Sequence, residues 1–399
     1  MAIALAGLLS LAVAMGIGRF AFTPLLPMML HDRVIDLTGA SWMASANYLG
    51  YWLGAMACAL QPLLWQRWGR RVPLAHTAAV RCGLVATVLL TLGMALPLPA
   101  LWPLWRLLAG MASALVFVYV AGWCLARLTL LGAPALAGII FVGPGLGIAA
   151  SGLAASAMVA LGWQAATGWA VFALLAAALS AVAWPHLRGA VAAAPAARAA
   201  PAALPRGSMA LFTLAYGLAG FGYIITATFL PVIARQMLPG SAWPDLFWPL
   251  FGLGVSLGAL LTVRLPLHWD RRHLLMVCYA MQASGVLLSV WLPSFWGFAL
   301  GSLLLGLPFT AITLFVVQEL RRLRPHDASA LIGLLTAAFG LGQIAGPPLV
   351  ALLLAHSATA AQGFAWSLQT AALALLAGLL MYGWIARRDR AAGPLRFLG

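Results

Sequence analysis

The sequence predicts an all-α integral membrane protein, with twelve transmembrane helices in two pseudo-symmetric six-helix bundles. Three observations carry that prediction. Of 399 residues, 64% are hydrophobic and 7% charged, too few ionised groups to solvate the surface of a water-soluble chain this long. Apolar runs of roughly 20 residues, the length that crosses a hydrocarbon core, recur from end to end. The second half also repeats the first in a register that survives across loops.

The first apolar run covers 4–29, with Gly16, Gly18 and Arg19 near its middle and Pro24 and Pro27 towards its end. No basic segment precedes it and it continues through Arg19, so a span fits better than a cleaved signal. Runs at 42–64, 73–96, 101–126, 133–160 and 163–185 complete a first group of six. The Ala/Pro/Arg stretch at 187–208 is broken by Pro195, Pro201 and Pro205, so it reads as a linker. The second group lies at 209–236, 245–266, 273–293, 295–320, 328–355 and 360–385. The domain reading is therefore a bundle at 1–186, a linker at 187–208 and a bundle at 209–399. Trp42, Trp102, Trp105, Trp163, Trp184, Trp243, Trp291, Trp296 and Trp384 fall near span ends, where an indole prefers the membrane interface. The cysteines, Cys58, Cys82, Cys124 and Cys278, are scattered singly, without the close spacing of a zinc or redox motif.

A net charge of +15 raises the question of a nucleic-acid partner, and the placement of the charges answers it. All 22 basic residues are arginines. With the amino terminus inside, seventeen fall on the cytoplasmic side: Arg67, Arg70, Arg71, Arg127, Arg188, Arg198, Arg206, Arg264, Arg271, Arg272, Arg321, Arg322, Arg324, Arg387, Arg388, Arg390 and Arg396. Arg33 and Arg235 fall outside, and Arg19, Arg81 and Arg106 lie within spans. This is the positive-inside pattern. It implies a lipid bilayer as partner rather than nucleic acid, with both termini cytoplasmic in a bacterial inner membrane.

Sliding the second half over the first by 204 residues superposes Gly16, Gly18, Leu26 and Pro27 on Gly220, Gly222, Leu230 and Pro231. The same offset carries Gly50, Gly54, Pro62 and Arg67 onto Gly254, Gly258, Pro266 and Arg271. A shift of 195 lays Ala135, Leu136, Gly138, Gly145 and Gly147 on Ala330, Leu331, Gly333, Gly340 and Gly342. Two parallel halves imply a pseudo-twofold axis along the membrane normal, with a site between them near mid-membrane.

The loop Gln66-Arg67-Trp68-Gly69-Arg70-Arg71 resembles the Gly-x-x-x-Asp-Arg-x-Gly-Arg-Arg signature of the major facilitator superfamily, with Pro62 and Gln66 in place of its Gly and Asp. Asp270-Arg271 is its counterpart in the second half. Arg106 to Gly110 resembles the family's Arg-x-x-x-Gly, and Gly143 to Gly147 its Gly-Pro motif. The segment from Gly16 to Pro27, with Phe339 to Gln343 and Gly346-Pro347, resembles the YbfB/YjiJ-like branch. That resemblance implies the major facilitator fold and secondary active transport of a small solute by alternating access. It also places the first and fourth helices beside a central cavity and the third in a lipid-facing support set.

Arg19 is the most informative residue, because a mid-span arginine costs about 2.5–3.5 kcal/mol and must face protein, water or a partner. A guanidinium grips a carboxylate through paired hydrogen bonds, so Arg19 and Arg106 are candidates for one organic anion, Arg19 also for a gate; the alternative is structural, Arg19 binding freed carbonyls that lock the halves together and Arg106 a hydrogen bond within the first half. Asn47, Tyr48, Tyr223, Thr310 and Gln343 are further substrate candidates, and Tyr223 holds the repeat position of Arg19. Pro24, Pro27, Arg67, Gly69, Arg70, Asp270 and Arg271 are candidates for gating or conformational roles. No carboxylate is predicted at mid-membrane, since Asp270, Glu319, Asp327 and Asp389 sit at cytoplasmic ends and Asp32, Asp36 and Asp245 in outer loops. A coupling proton would then travel on the substrate or use a deeper Glu319, or coupling to a proton does not occur. No nucleophile, metal cluster or acid–base pair marks an enzyme, and no cofactor or metal is implied. An exporter of amphipathic or drug-like compounds and a non-transporting sensor stay open beside the anion carrier, and a monomer is expected.

Overall fold

The computed structural model describes residues 1–67, 76–189, 208–241, 243–266, 268–323 and 328–391. The first bundle comprises α1 (Ala2–His31), α2 (Leu37–Arg67), α3 (His76–Gly93), α4 (Pro99–Leu130), α5 (Gly138–Ala160) and α6 (Ala165–His186). The second comprises α7 (Ser208–Met237), α8 (Pro244–Arg264), α9 (Arg271–Trp291), α10 (Phe295–Leu323), α11 (Leu331–Ala355) and α12 (Ala360–Arg388). Among the described residues, eleven of these are long and apolar enough to cross a bilayer. The twelfth, α2, has 31 residues but is diluted by Ser41, Ser45, Asn47, Tyr48, Tyr51 and Trp52. Several of those side chains bond to other helices, so the polar residues that dilute this span are used in packing it. Of the expected linker, residues 190–207 lie outside the described residues, as do Gly69 and Arg70.

Lipid tails are as apolar as leucine, so spans associate through close packing and hydrogen bonds rather than hydrophobic burial. In the first bundle α1 lies so near α5 that a Cβ on Gly16 would collide with the Gly147 backbone. The repeat reproduces this contact between α7 and α11, where Gly220 abuts the Phe339 carbonyl and Gly342 that of Gly217. Between bundles, α2 packs on α11, α5 on α8 and α1 on α7. The pseudo-axis is visible in one hydrogen bond. Thr23 Oγ1 donates to the Ala227 carbonyl at 2.8 Å, and these residues are 204 positions apart, so equivalent points of α1 and α7 meet.

α1 is not a regular helix. Ala12–Arg19 forms a wide π-helical stretch, followed by a turn and a second segment, Phe22–His31, that contains Pro27. The Thr23 N–H bonds the Phe20 carbonyl at 3.2 Å instead of the Arg19 carbonyl, as an α-helical turn would require. The break therefore leaves backbone acceptors bare at the middle of the span.

Some sequence expectations are corrected by packing. Trp102 is buried and donates to the Leu96 carbonyl at 3.1 Å, so it belongs to a helix start and not to the interfacial belt that exposed Trp42, Trp163, Trp243, Trp291, Trp296 and Trp384 form. Arg271 and Arg272 begin α9 and are buried rather than lying in a loop. Glu319 lies near the terminal-side end of α10 as expected, yet it is 0% exposed. Its carboxylate is held by Arg272 Nε at 2.6 Å and Arg322 Nε at 3.1 Å, which removes most of the desolvation cost of a lone buried charge. Arg81 donates to the Trp184 carbonyl at 3.2 Å and lies over that indole, an interfacial tether of α3 to α6. All four cysteines are free thiols.

Candidate functional site

The bare backbone of α1 organises the centre. Arg106 on α4 donates from Nη1 to the Gly18 carbonyl at 3.3 Å and from Nη2 to the Arg19 carbonyl at 2.9 Å. Asn47 on α2 reinforces this cap, donating to the Arg106 carbonyl at 2.8 Å and to the Gly18 carbonyl at 3.4 Å. The Arg106 guanidinium also lies over the Phe22 and Trp169 rings. Its end-on fork is thus taken up by the α1 backbone, so the two arginines do not present matching forks to one anion. Residues freed from helical bonding by the α1 break require such donors, because an unsatisfied buried carbonyl costs about 1–3 kcal/mol.

The same break points the Arg19 side chain across the interface between bundles. Its Nη2 donates to Gln343 Oε1 on α11 at 2.7 Å, and Gln343 Nε2 in turn contacts the Tyr223 hydroxyl on α7. Gln343 therefore bridges Arg19 to the residue that the internal repeat sets opposite it. Arg19 is 4% exposed and its guanidinium stacks 4.1 Å from the centre of the Tyr51 ring, with Phe20 and Tyr48 at 5.1 and 5.5 Å. Aromatic faces attract a cation through their quadrupole, but they carry no net charge. Among the described residues no carboxylate lies within ion-pair distance of Arg19 or Arg106. Arg19 Nε is buried without a hydrogen-bond partner.

The remaining candidates divide by place. Tyr48 shares a hydrogen bond of 2.8 Å with Thr228, joining α2 to α7 on the side of the centre away from the chain termini. Ser45, on the same helix, donates to the Ile344 carbonyl at 3.1 Å. Pro24 and Pro27 are buried in that same end of α1. Thr310 on α10 has a buried hydroxyl without a partner, and Thr313 receives the Tyr216 hydroxyl at 3.1 Å. Of the other gating candidates, the described ones, Arg67, Asp270 and Arg271, lie at the terminal side. Arg67 is exposed at the end of α2. Asp270 caps α9 by accepting the Arg272 N–H at 2.9 Å and pairs with His273 at 3.0 Å. Partial burial works against the ionised Asp270, but that N–H with the His273 and Arg272 charges outweighs it and holds the carboxyl below its ordinary value. Arg271 donates to the Pro266 carbonyl at 3.2 Å and faces Phe315.

Sequence reasoning missed the aromatic walls. Tyr51 is the nearest ring to Arg19, and across the interface Tyr223 stacks on Phe339 with centroids 5.8 Å apart. Phe309 meets Tyr223, Phe20 and Phe251 edge-on, and Trp248 meets Phe20. Phenylalanines in an apolar span carry no local signal that separates an interior wall from a lipid-facing surface; Phe20 beside Arg19 and Phe339 beside Gly340 were the available hint.

Twelve spans in two repeated bundles, joined by a buried polar and cationic centre, define a membrane transporter rather than an enzyme. The chain belongs to the major facilitator family described as "Uncharacterised MFS-type transporter YbfB", whose profile matches residues 11–382. A comparison with curated proteins finds no match. Solved structures with the same fold include a variant of the nucleoside transporter NupG, 15% identical over 96% of this chain and 99% of that one, with a TM-score of 0.75. The bacterial homologue of the human lysosomal transporter Spinster, in an inward-facing and occupied conformation, is 13% identical over 96% of each chain with a TM-score of 0.66. Such low identities establish the fold alone.

Proposed function

We propose that the protein is a secondary active transporter for a small organic anion, working as a monomer in a bacterial inner membrane with both termini cytoplasmic. The observation that carries this reading is the Arg19 charge, buried between the bundles with no carboxylate beside it among the described residues. A charge so placed is costly unless a partner completes it, and a substrate carboxylate supplies that partner. Gln343 offers Arg19 only a neutral oxygen, a stand-in that an anion displaces. Because Gln343 sits on α11 and Arg19 on α1, that exchange loosens a bond between the bundles as the substrate enters. The contacts of Thr23 with Ala227 and Tyr48 with Thr228 are the outer closure in this scheme, and the capped α9 start belongs to the cytoplasmic side. A coupling proton has no free acid to use at Glu319, which two arginines already hold.

The test is carboxylate uptake into proteoliposomes. Arg19→Ala and Arg19→Lys should both abolish it in properly inserted protein, since lysine lacks the two-pronged fork. Uptake retained in both variants would defeat the anion reading.

A further inference from the structure

Resting on that anion reading, we infer that the substrate is an aromatic monocarboxylate: one carboxylate on a flat ring. Charge counting limits the anion. The end-on fork of Arg106 is spent on the Gly18 and Arg19 carbonyls. Nε is unpartnered in both arginines, but both Nη groups of Arg106 are bound to α1, whereas Arg19 is bound at Nη2 alone, by Gln343 Oε1 at 2.7 Å, so its Nε and Nη2 form an edge that a side chain of the other bundle covers. When Gln343 swings away, that edge binds a single carboxylate side-on through two parallel hydrogen bonds. A second carboxylate on the same molecule would be driven against rings that cannot solvate it.

The rings define the rest of the molecule. Beyond Arg19 the walls are Tyr51 and Phe20 from one bundle and Tyr223, Phe339 and Phe309 from the other. Tyr223 and Phe339 lie nearly parallel, with an interplanar angle of 20°, and Tyr216 continues the stack on Phe339 with centroids 4.7 Å apart. Phe309 presents its edge to Tyr223 at 5.1 Å. Such a wall offers a flat ring both a face and an edge, and aromatic pairs of these geometries gain over equal apolar area. Phe20 and Tyr223 are fully buried, whereas Phe309, Phe339 and Tyr51 are only half-buried, so a ligand ring reaches the wall through the latter three. An aliphatic acid of equal size would find the same cation but lose the ring contacts.

The experiment measures binding of benzoate, cyclohexanecarboxylate, terephthalate and benzamide to the full-length protein in nanodiscs, by calorimetry. Benzoate should bind about 3- to 10-fold more tightly than cyclohexanecarboxylate, the range that aromatic pairing provides, and more tightly than terephthalate. Phe339→Leu should bring the benzoate-to-cyclohexanecarboxylate ratio towards one. Equal binding of the two monocarboxylates, or preferred binding of terephthalate, overturns this inference and leaves the anion carrier standing. Benzamide binding as well as benzoate, or no binding of any acid, removes the anion reading and this inference with it.

Discussion

Replacing Gln343 with glutamate turns a neutral stand-in into a resident anion. The side chains have nearly the same shape, so a carboxylate oxygen lands where Oε1 now sits, 2.7 Å from Arg19 Nη2. The Tyr223 hydroxyl, already in contact with Gln343, can turn to donate. In the wild type an entering substrate strands a neutral amide, which costs about 1–3 kcal/mol. In Gln343→Glu it strands a buried carboxylate, at about 3–5 kcal/mol. The difference of about 2 kcal/mol corresponds to anion binding weaker by roughly 30-fold. The variant should also melt higher, because the α1–α11 contact becomes an ion pair. Equilibrium binding of a labelled carboxylate to purified protein, beside a thermal melt, reads both effects. Gln343→Ala is the control, since it removes the stand-in, keeps Arg19 and should bind the anion at least as tightly as wild type. Unchanged affinity in Gln343→Glu would show that the substrate does not compete for the Arg19 edge.

Three further outcomes follow from the geometry. Arg106→Ala strips the Arg19 carbonyl of its donor and leaves the Gly18 carbonyl only the longer bond from Asn47, at about 1–3 kcal/mol for the bare carbonyl, so size-exclusion thermostability should fall; full stability with only lost affinity would make Arg106 a substrate contact instead. A Thr23→Cys/Ala227→Cys pair in a background free of native cysteines should form a disulfide that arrests transport and releases it on reduction, because these positions meet across the pseudo-axis. Transport continuing through the cross-link would exclude opening at that end. Asp270 has its ionised form favoured in the folded protein, so it stabilises above the ordinary carboxylate range near about pH 4 and loses that contribution as pH falls through its depressed value. Asp270→Asn should flatten this acid limb in melting curves taken from neutral to acidic pH.

Much of the fold is legible in the sequence because its determinants are local or periodic. Hydropathy runs mark the spans, and the 204-residue offset that joins Gly16 to Gly220 also joins Thr23 to Ala227, which touch in the structure. The candidate site is legible in part. Arg19, Gln343 and Tyr223 stand out as polar side chains in apolar helices, and they do come together. The division of labour between Arg19 and Arg106 does not show, because both are arginines in the middle of spans. It depends on which carbonyls the π-helical stretch of α1 leaves bare, a backbone property with no residue signature of its own. Glu319 reads as a cytoplasmic helix end of undecided depth, and its burial beside Arg272 depends on the approach of α9.

By itself the sequence determined that this chain lives in a bilayer, that it is built twice over and that it carries an arginine where lipid cannot accept one. Composition and periodicity suffice for those conclusions, since the bilayer acts on each span separately. The tertiary structure decided which arginine has both Nη groups bound to α1 and which is held only by Gln343, and it gathered the rings of five helices near the latter. Those outcomes depend on how helices distant in sequence meet, and a hydrogen-bond donor can be counted as spent or available only when every neighbouring acceptor is in place.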